Sequence, residues 1–123
     1  MGNKVLIVDD SNTMRKIVAR SLRQAGFEFE KLLEAADGQA ALEVLAGETV
    51  DIVLSDINMP VMDGIEFLRQ KNADGQIKGI PVVMITTEAG TDVLNEALSL
   101  GAVGTIKKPF TPEQVQEVLG KFL

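Results

Sequence analysis

Four short apolar runs in this 123-residue chain end in side chains able to do chemistry. Asp9 and Asp10 follow the run at 5–8, Asp56 follows the run at 52–54, Thr86 and Thr87 follow 82–85, and Lys107 and Lys108 follow 103–106. If those runs are neighbouring parallel strands, three carboxylates meet at one edge of a sheet, with hydroxyls and an ammonium group beside them. At ~4 Å and an effective dielectric near 20, each like-charged pair costs roughly 4 kcal/mol, so the cluster needs a cation or must partly protonate. The chain has no histidine and no cysteine, which leaves oxygen as the only ligand type. Mg²⁺ suits such a set, because it accepts a few protein oxygens and keeps waters and a phosphate oxygen in its octahedron. A carboxylate beside such an ion and a lysine is chemically able to attack phosphorus in line and form an acyl phosphate. The same two absences exclude disulfides, Ser-His-Asp and Cys-His catalysis, and a phosphohistidine carried by this chain itself.

What must position these residues is legible from periodicity. Strand-like runs at 4–8, 31–35, 50–55, 80–85 and 103–106 alternate with amphipathic stretches of helical length, the rhythm of an α/β protein built as (βα)5. The first, third and fourth runs are continuously apolar, as strands covered on both faces are, so they belong at the sheet centre. Right-handed crossovers at this size favour a flavodoxin-like doubly wound parallel sheet of strand order 2-1-3-4-5, whose ligand site lies beyond the C-termini of strands one and three. In the first helix Met14, Ile17, Val18, Ser21, Leu22 and Ala25 share one face, with Arg15, Lys16, Arg20 and Arg23 largely off it. Gly26, Gly47 and Gly101 follow periodic stretches and are expected to be left-handed caps. Thr111, Pro112 and Gln114 form a capping box ahead of Val115, Val118, Leu119 and Phe122.

Composition narrows the function. Twelve Lys and Arg against eighteen Asp and Glu give a net charge of −6, opposite to the basic footprint of a nucleic-acid binder. The longest apolar run, 80–85, contains Pro81 and is far short of a membrane span, and Met1 to Lys4 leave no room for a signal peptide before the first strand, so a cytoplasmic location and no membrane partner are expected. Residues 1–123 are expected to form a single domain with no output module. The stretch 101–109 lacks the spacing of a phosphate-binding loop and no G-x-G-x-x-G follows the first strand, which argues against ATP and dinucleotides.

Val8-Asp9-Asp10, the run from Ser55-Asp56 through Asn58-Met59-Pro60-Val61-Met62-Asp63-Gly64, Ile85-Thr86-Thr87-Glu88-Ala89 and Lys107-Lys108-Pro109-Phe110 together resemble the signature of bacterial response-regulator receiver domains. The resemblance covers essentially the whole chain and is nearest to the single-domain chemotaxis regulators. It implies that a histidine kinase phosphorylates Asp56, and that Asp10, Asp56 and the backbone carbonyl of Asn58 bind Mg²⁺ directly, with Asp9 reaching it through water. It also implies that Thr86 and Lys108 contact the phosphoryl oxygens. By the same resemblance the peptide before Pro109 is cis, and Asn58 and Glu88 tune how fast water attacks the acyl phosphate. The protein would then be a monomer that catalyses only its own phosphorylation and dephosphorylation. It would signal by binding a downstream protein through the fourth helix, fifth strand and fifth helix, a surface that includes Val93, Asn95, Glu96, Ala97, Thr105 and Lys107.

Two positions depart from the family pattern. Thr105 stands where an aromatic residue commonly couples to the threonine switch, and Ile57 stands where chemotaxis members often carry tryptophan. Plainer readings apply to other residues. Asp9 or Asp10 alone would cap the first helix, a reading the matching Asp56 and Lys108 outweigh. Asp63, with Glu66 three residues on, reads as a helix N-cap with a capping box, and Asp37-Gly38 as a turn and helix start. Lys107 is expected to face solvent and Met59 and Met62 to be packing. A small Asp-nucleophile phosphatase is the competing function, weakened by the lack of a D-x-D pair, and a flavin module of the same fold is weaker still. A flagellar-motor regulator, a phosphate sink and a phosphorelay intermediate would share every one of these site residues.

Overall fold

Residues 5–8, 52–54 and 82–85 are buried to within a few per cent of completeness, and the sheet built on them is what sets the site. A computed structural model describes residues 3–86, 91–108 and 110–121. In chain order the elements are β1 (Asn3–Val8), α1 (Asn12–Gln24), β2 (Phe29–Ala35), α2 (Gly38–Gly47), β3 (Ile52–Ser55), α3 (Gly64–Ala73), β4 (Val82–Thr86), α4 (Thr91–Ser99), β5 (Gly104–Lys107) and α5 (Pro112–Leu119). The strands form one parallel sheet in the order β2-β1-β3-β4-β5, as the sequence pattern predicts.

The two faces of the sheet carry separate cores, because successive strand residues point to opposite sides. Leu6, Val8, Val53 and Met84 pack with Ala41 and Leu45 of α2, Phe67 and Leu68 of α3 and Ala97 of α4. Val5, Ile7, Ile52, Leu54, Val83 and Ile85 pack with Val18 and Leu22 of α1 and Val115 and Leu119 of α5. At roughly 25 cal/mol per Å² of apolar surface, this double burial is the main term holding the strand ends in register.

Local signals end the helices as expected at most places. Gly26 and Gly101 adopt positive φ, +93° and +102°, where a Cβ would be strained. Thr111 caps α5 with both halves of the capping box present and Pro112 in the first turn. Asp37 caps α2 by accepting from the Ala40 N–H. Gly47 is a correction: it is the last residue of α2, the cap is Glu48, and the chain leaves that cap in extended conformation (φ −134°), so no left-handed residue is used. Ile17, assigned by periodicity to the core face of α1, is 40% exposed, because the buried stripe narrows to Val18, Ala19, Ser21 and Leu22. Phe122 lies outside the described residues.

Candidate functional site

Parallel pairing brings the C-terminal ends of β1, β3, β4 and β5 to one edge. Val8 pairs with Ser55 and Thr86 with Lys107, so the residues that follow these strands leave the sheet side by side. The Asp56 N–H donates to the Val8 carbonyl (2.9 Å), and the Lys108 N–H to the Thr86 carbonyl (2.9 Å). The backbone ladder thus continues one residue past β3 and β5 and delivers Asp56 and Lys108 to the site.

Carboxylate oxygens of Asp9, Asp10 and Asp56 all lie within 4.8 Å of one another. Lys108 Nζ is 3.0 Å from Asp9 Oδ2 and 3.5 Å from Asp56 Oδ2, and the Asp9 and Lys108 side chains are 5% and 8% exposed. Asp10 is exposed at the mouth and Asp56 is intermediate between them. Burial raises the Asp56 carboxyl above its ordinary value; the ammonium of Lys108 and the Ile57 N–H oppose that, while the neighbouring charge of Asp9 adds to it. The formal balance among these four groups is three negative charges to one positive. With oxygen donors alone and open solvent on the Asp10 side, this set fits a hard divalent cation that keeps part of its hydration shell.

Three further residues support the cluster, and periodicity hides the first two, Ser11 and Arg15. Asp9 Oδ1 accepts from the Ser11 N–H (2.9 Å), while Ser11 itself caps α1 by accepting from the Met14 N–H (3.2 Å). The cap of α1 is therefore Ser11, which leaves both aspartates to the site. Arg15 donates from Nη1 to the Asp9 carbonyl and from Nε to Glu34 (2.9 Å), and so anchors the β1 exit. A serine directly after Asp-Asp was the available signal; Arg15 is indistinguishable in sequence from the solvent-facing cations around it. Ser55 Oγ donates to the Asp56 carbonyl (2.8 Å) and Asp56 Oδ1 accepts from the Ile57 N–H (2.7 Å), which restricts the Asp56 side chain.

The remaining expected residues divide. Thr86 is buried at the end of β4, adjacent in the sheet to Lys107. Asn58 is exposed in the loop two residues beyond Asp56. Lys107 is exposed, and Met59 and Met62 pack against the core on the α2–α3 side. Asp63 caps α3 by accepting from the Glu66 N–H (2.8 Å), whereas the Glu66 carboxylate bonds Arg69 and Gln70 instead of closing a capping box. Of the surface assigned to α4 and β5, Asn95, Glu96 and Lys107 are exposed and Val93 and Thr105 are partly buried. Ala97 is a correction: it is fully buried in the core, because the inner face of α4 seats it there. Thr87, Glu88, Ala89 and the bond before Pro109 lie outside the described residues.

The model of the response regulator receiver domain family matches residues 5–120. The chain is 43% identical over 118 residues to "Chemotaxis protein CheY" of Pseudomonas aeruginosa, covering 96% of this chain and 94% of that one. It is 46% identical over 118 residues to "Chemotaxis protein CheY-3" of Vibrio cholerae, with 96% and 89% covered. Among solved structures, the chemotaxis response regulator CheY4 of Vibrio cholerae superposes over the full length of both chains with a TM-score of 0.85 at 39% identity.

Proposed function

Because the chain belongs to the response regulator receiver domain family, we propose that Asp56 is its phosphoacceptor, that a histidine kinase is the donor, and that the chain works in chemotaxis by phosphorylation-dependent protein binding. The observation that carries this reading is the gathering of Asp9, Asp10 and Asp56 within 4.8 Å, with the Lys108 ammonium against two of them.

The bonds already made at Asp56 support the roles assigned. Asp56 Oδ1 is held by the Ile57 N–H, which leaves Oδ2, on the Lys108 side, as the nucleophile. Attack on a phosphohistidine breaks the P–N bond and forms a P–O bond, and the imidazole leaves with the electron pair and takes up a proton. Lys108 then exchanges carboxylate neighbours for a phosphoryl oxygen, and Thr86 at the end of β4 offers its hydroxyl to another. Mg²⁺ held by Asp10, Asp56 and the Asn58 carbonyl, with Asp9 reaching it through water, would neutralise charge on the transferring phosphoryl group. Water attack at the same phosphorus, beside Asn58, ends the signal, so the chain turns over only its own acyl phosphate. The target then binds through the exposed parts of α4, β5 and α5, on a monomer in the cytoplasm.

Incubation with Mg²⁺ and a small acyl phosphate donor should add one phosphoryl group to the intact mass. Asp56→Asn should accept none, and equal labelling of that variant would overturn the assignment.

A further inference from the structure

Between Asp56 and α3, the loop places one residue where its type is least suited. Val61 has φ +66°, a left-handed value that a β-branched side chain strongly disfavours. The Met62 N–H donates to the Pro60 carbonyl across it (2.7 Å), so Val61 is the centre of a three-residue turn with positive φ, the rarer and strained form. Its side chain buries little in exchange: Val61 is 85% exposed, the most exposed of the large hydrophobics among the described residues.

The surroundings impose this conformation from both sides. The Met62 carbonyl accepts from the Gly38 N–H (2.9 Å) and the Gly64 N–H donates to the Ile57 carbonyl (2.7 Å), which pins the loop to α2 and closes its base. Met62 also packs on the core, and a Cβ on Gly38 would stand 2.8 Å from Met62 Cγ, so the loop lies close against the start of α2. Strain that persists under such constraint is typical of functional rims.

We infer that Val61 is an apolar contact for the phosphodonor domain, held out from the rim of the Asp56 site by the pinned turn. This rests on the reading of Asp56 as phosphoacceptor. The occupant follows from the reaction: a phosphohistidine must bring its phosphorus to Asp56 Oδ2, so the donor domain has to cover the loop that begins at Ile57, and a small acyl phosphate does not. An exposed valine in the loop that follows Asp56, three residues beyond the exposed Asn58, supplies the apolar anchor that such a transient, mostly polar interface otherwise lacks.

The test compares two donors on the full chain. The probes are a small acyl phosphate and the autophosphorylated histidine kinase of the same genome that labels the wild-type chain fastest. Val61→Asn tolerates positive φ and removes the apolar surface; it should melt higher than wild type, accept phosphate from the small donor within about twofold of the wild-type rate, and lose about tenfold in transfer from the kinase. Val61→Ile keeps both strain and apolar contact and should keep kinase transfer. Equal kinase rates for wild type and Val61→Asn would overturn the inference, as would parallel losses with both donors, which would make Val61 part of the site's own support. Absence of labelling of the wild-type chain by the small donor would instead overturn the Asp56 reading.

Discussion

Asp56 sits where its own charge is disfavoured in the metal-free protein. Burial and Asp9 both work against its ionised form, and the attraction of Lys108, shared with Asp9, only partly offsets them. Asp56→Asn removes one of three clustered charges at almost constant volume, so the metal-free variant should be more stable by about 1 kcal/mol, a rise of several degrees in melting temperature. Thermal melts in EDTA check this, and a lower melting temperature would mean that Lys108 depends on Asp56 more than on Asp9. The chemistry of this group was legible in sequence because each member directly follows an apolar run, and a parallel sheet carries the ends of such runs to one edge. Ser11, Arg15 and Val61 left no periodic trace, since their roles come from the Ser11 N–H bond to the Asp9 carboxylate, the Arg15 bond to the Asp9 carbonyl and a turn pinned to α2.

At the scale of elements, α3 carries the clearest tension. Lys71 is 3% exposed on its inner face, and its ammonium donates to the Lys78 carbonyl (2.8 Å), tying the helix to the segment that leads into β4. Burial lowers its pKa from the ordinary 10.5. Between the lowered native value and 10.5 the unfolded chain binds more protons than the folded one, so stability should rise with pH through that window. Lys71→Met, which keeps the stem packing and removes the charge, should flatten that rise while staying within about 1.5 kcal/mol of wild type at neutral pH, since the lost hydrogen bond and the relieved charge burial oppose each other. Urea melts at neutral and at alkaline pH measure both. At the other end of α3, a Cβ on Gly64 would collide with the Asp56 carbonyl and approach Ile57 Cα to 2.9 Å. Gly64→Ala should therefore cost about 1–3 kcal/mol in a urea melt and, on the proposed function, slow labelling of Asp56, because the atoms forced to move are the backbone of Asp56 itself. The central strands were readable for the reason α3 is tense: β1, β3 and β4 are sealed on both faces and must be apolar throughout. β2 and β5 line the sheet edges, where a partly exposed strand tolerates polar residues, and β2 begins earlier and β5 later than their apolar patterns suggest. Gly47 misled because glycine marks a helix end without fixing which conformation follows.

For the molecule as a whole, a cation bound by the three aspartates would be coupled to folding. The sheet cannot assemble without bringing Asp9, Asp10 and Asp56 together, in a chain that already carries a net charge of −6, so the unfolded state relieves a repulsion that the native state must hold. An ion that binds the gathered carboxylates and not the dispersed ones shifts this balance by RT ln(1 + [L]/Kd), about 2.7 kcal/mol at a hundredfold excess over Kd. For a domain of this length that corresponds to a rise on the order of 10 °C. Mg²⁺ should therefore raise the melting temperature well beyond what NaCl of equal ionic strength does, because general screening weakens all repulsions slightly whereas the site responds to one ion. Asp10→Asn isolates the cause: Asp10 is the exposed member and lies beyond the Lys108 ion pairs, so its neutralisation should leave the metal-free melting temperature equal or higher while removing most of the Mg²⁺ response. Equal rises with Mg²⁺ and NaCl, or an undiminished Mg²⁺ response in the variant, would place the stabilisation in the surface charge at large and detach the three aspartates from the ion.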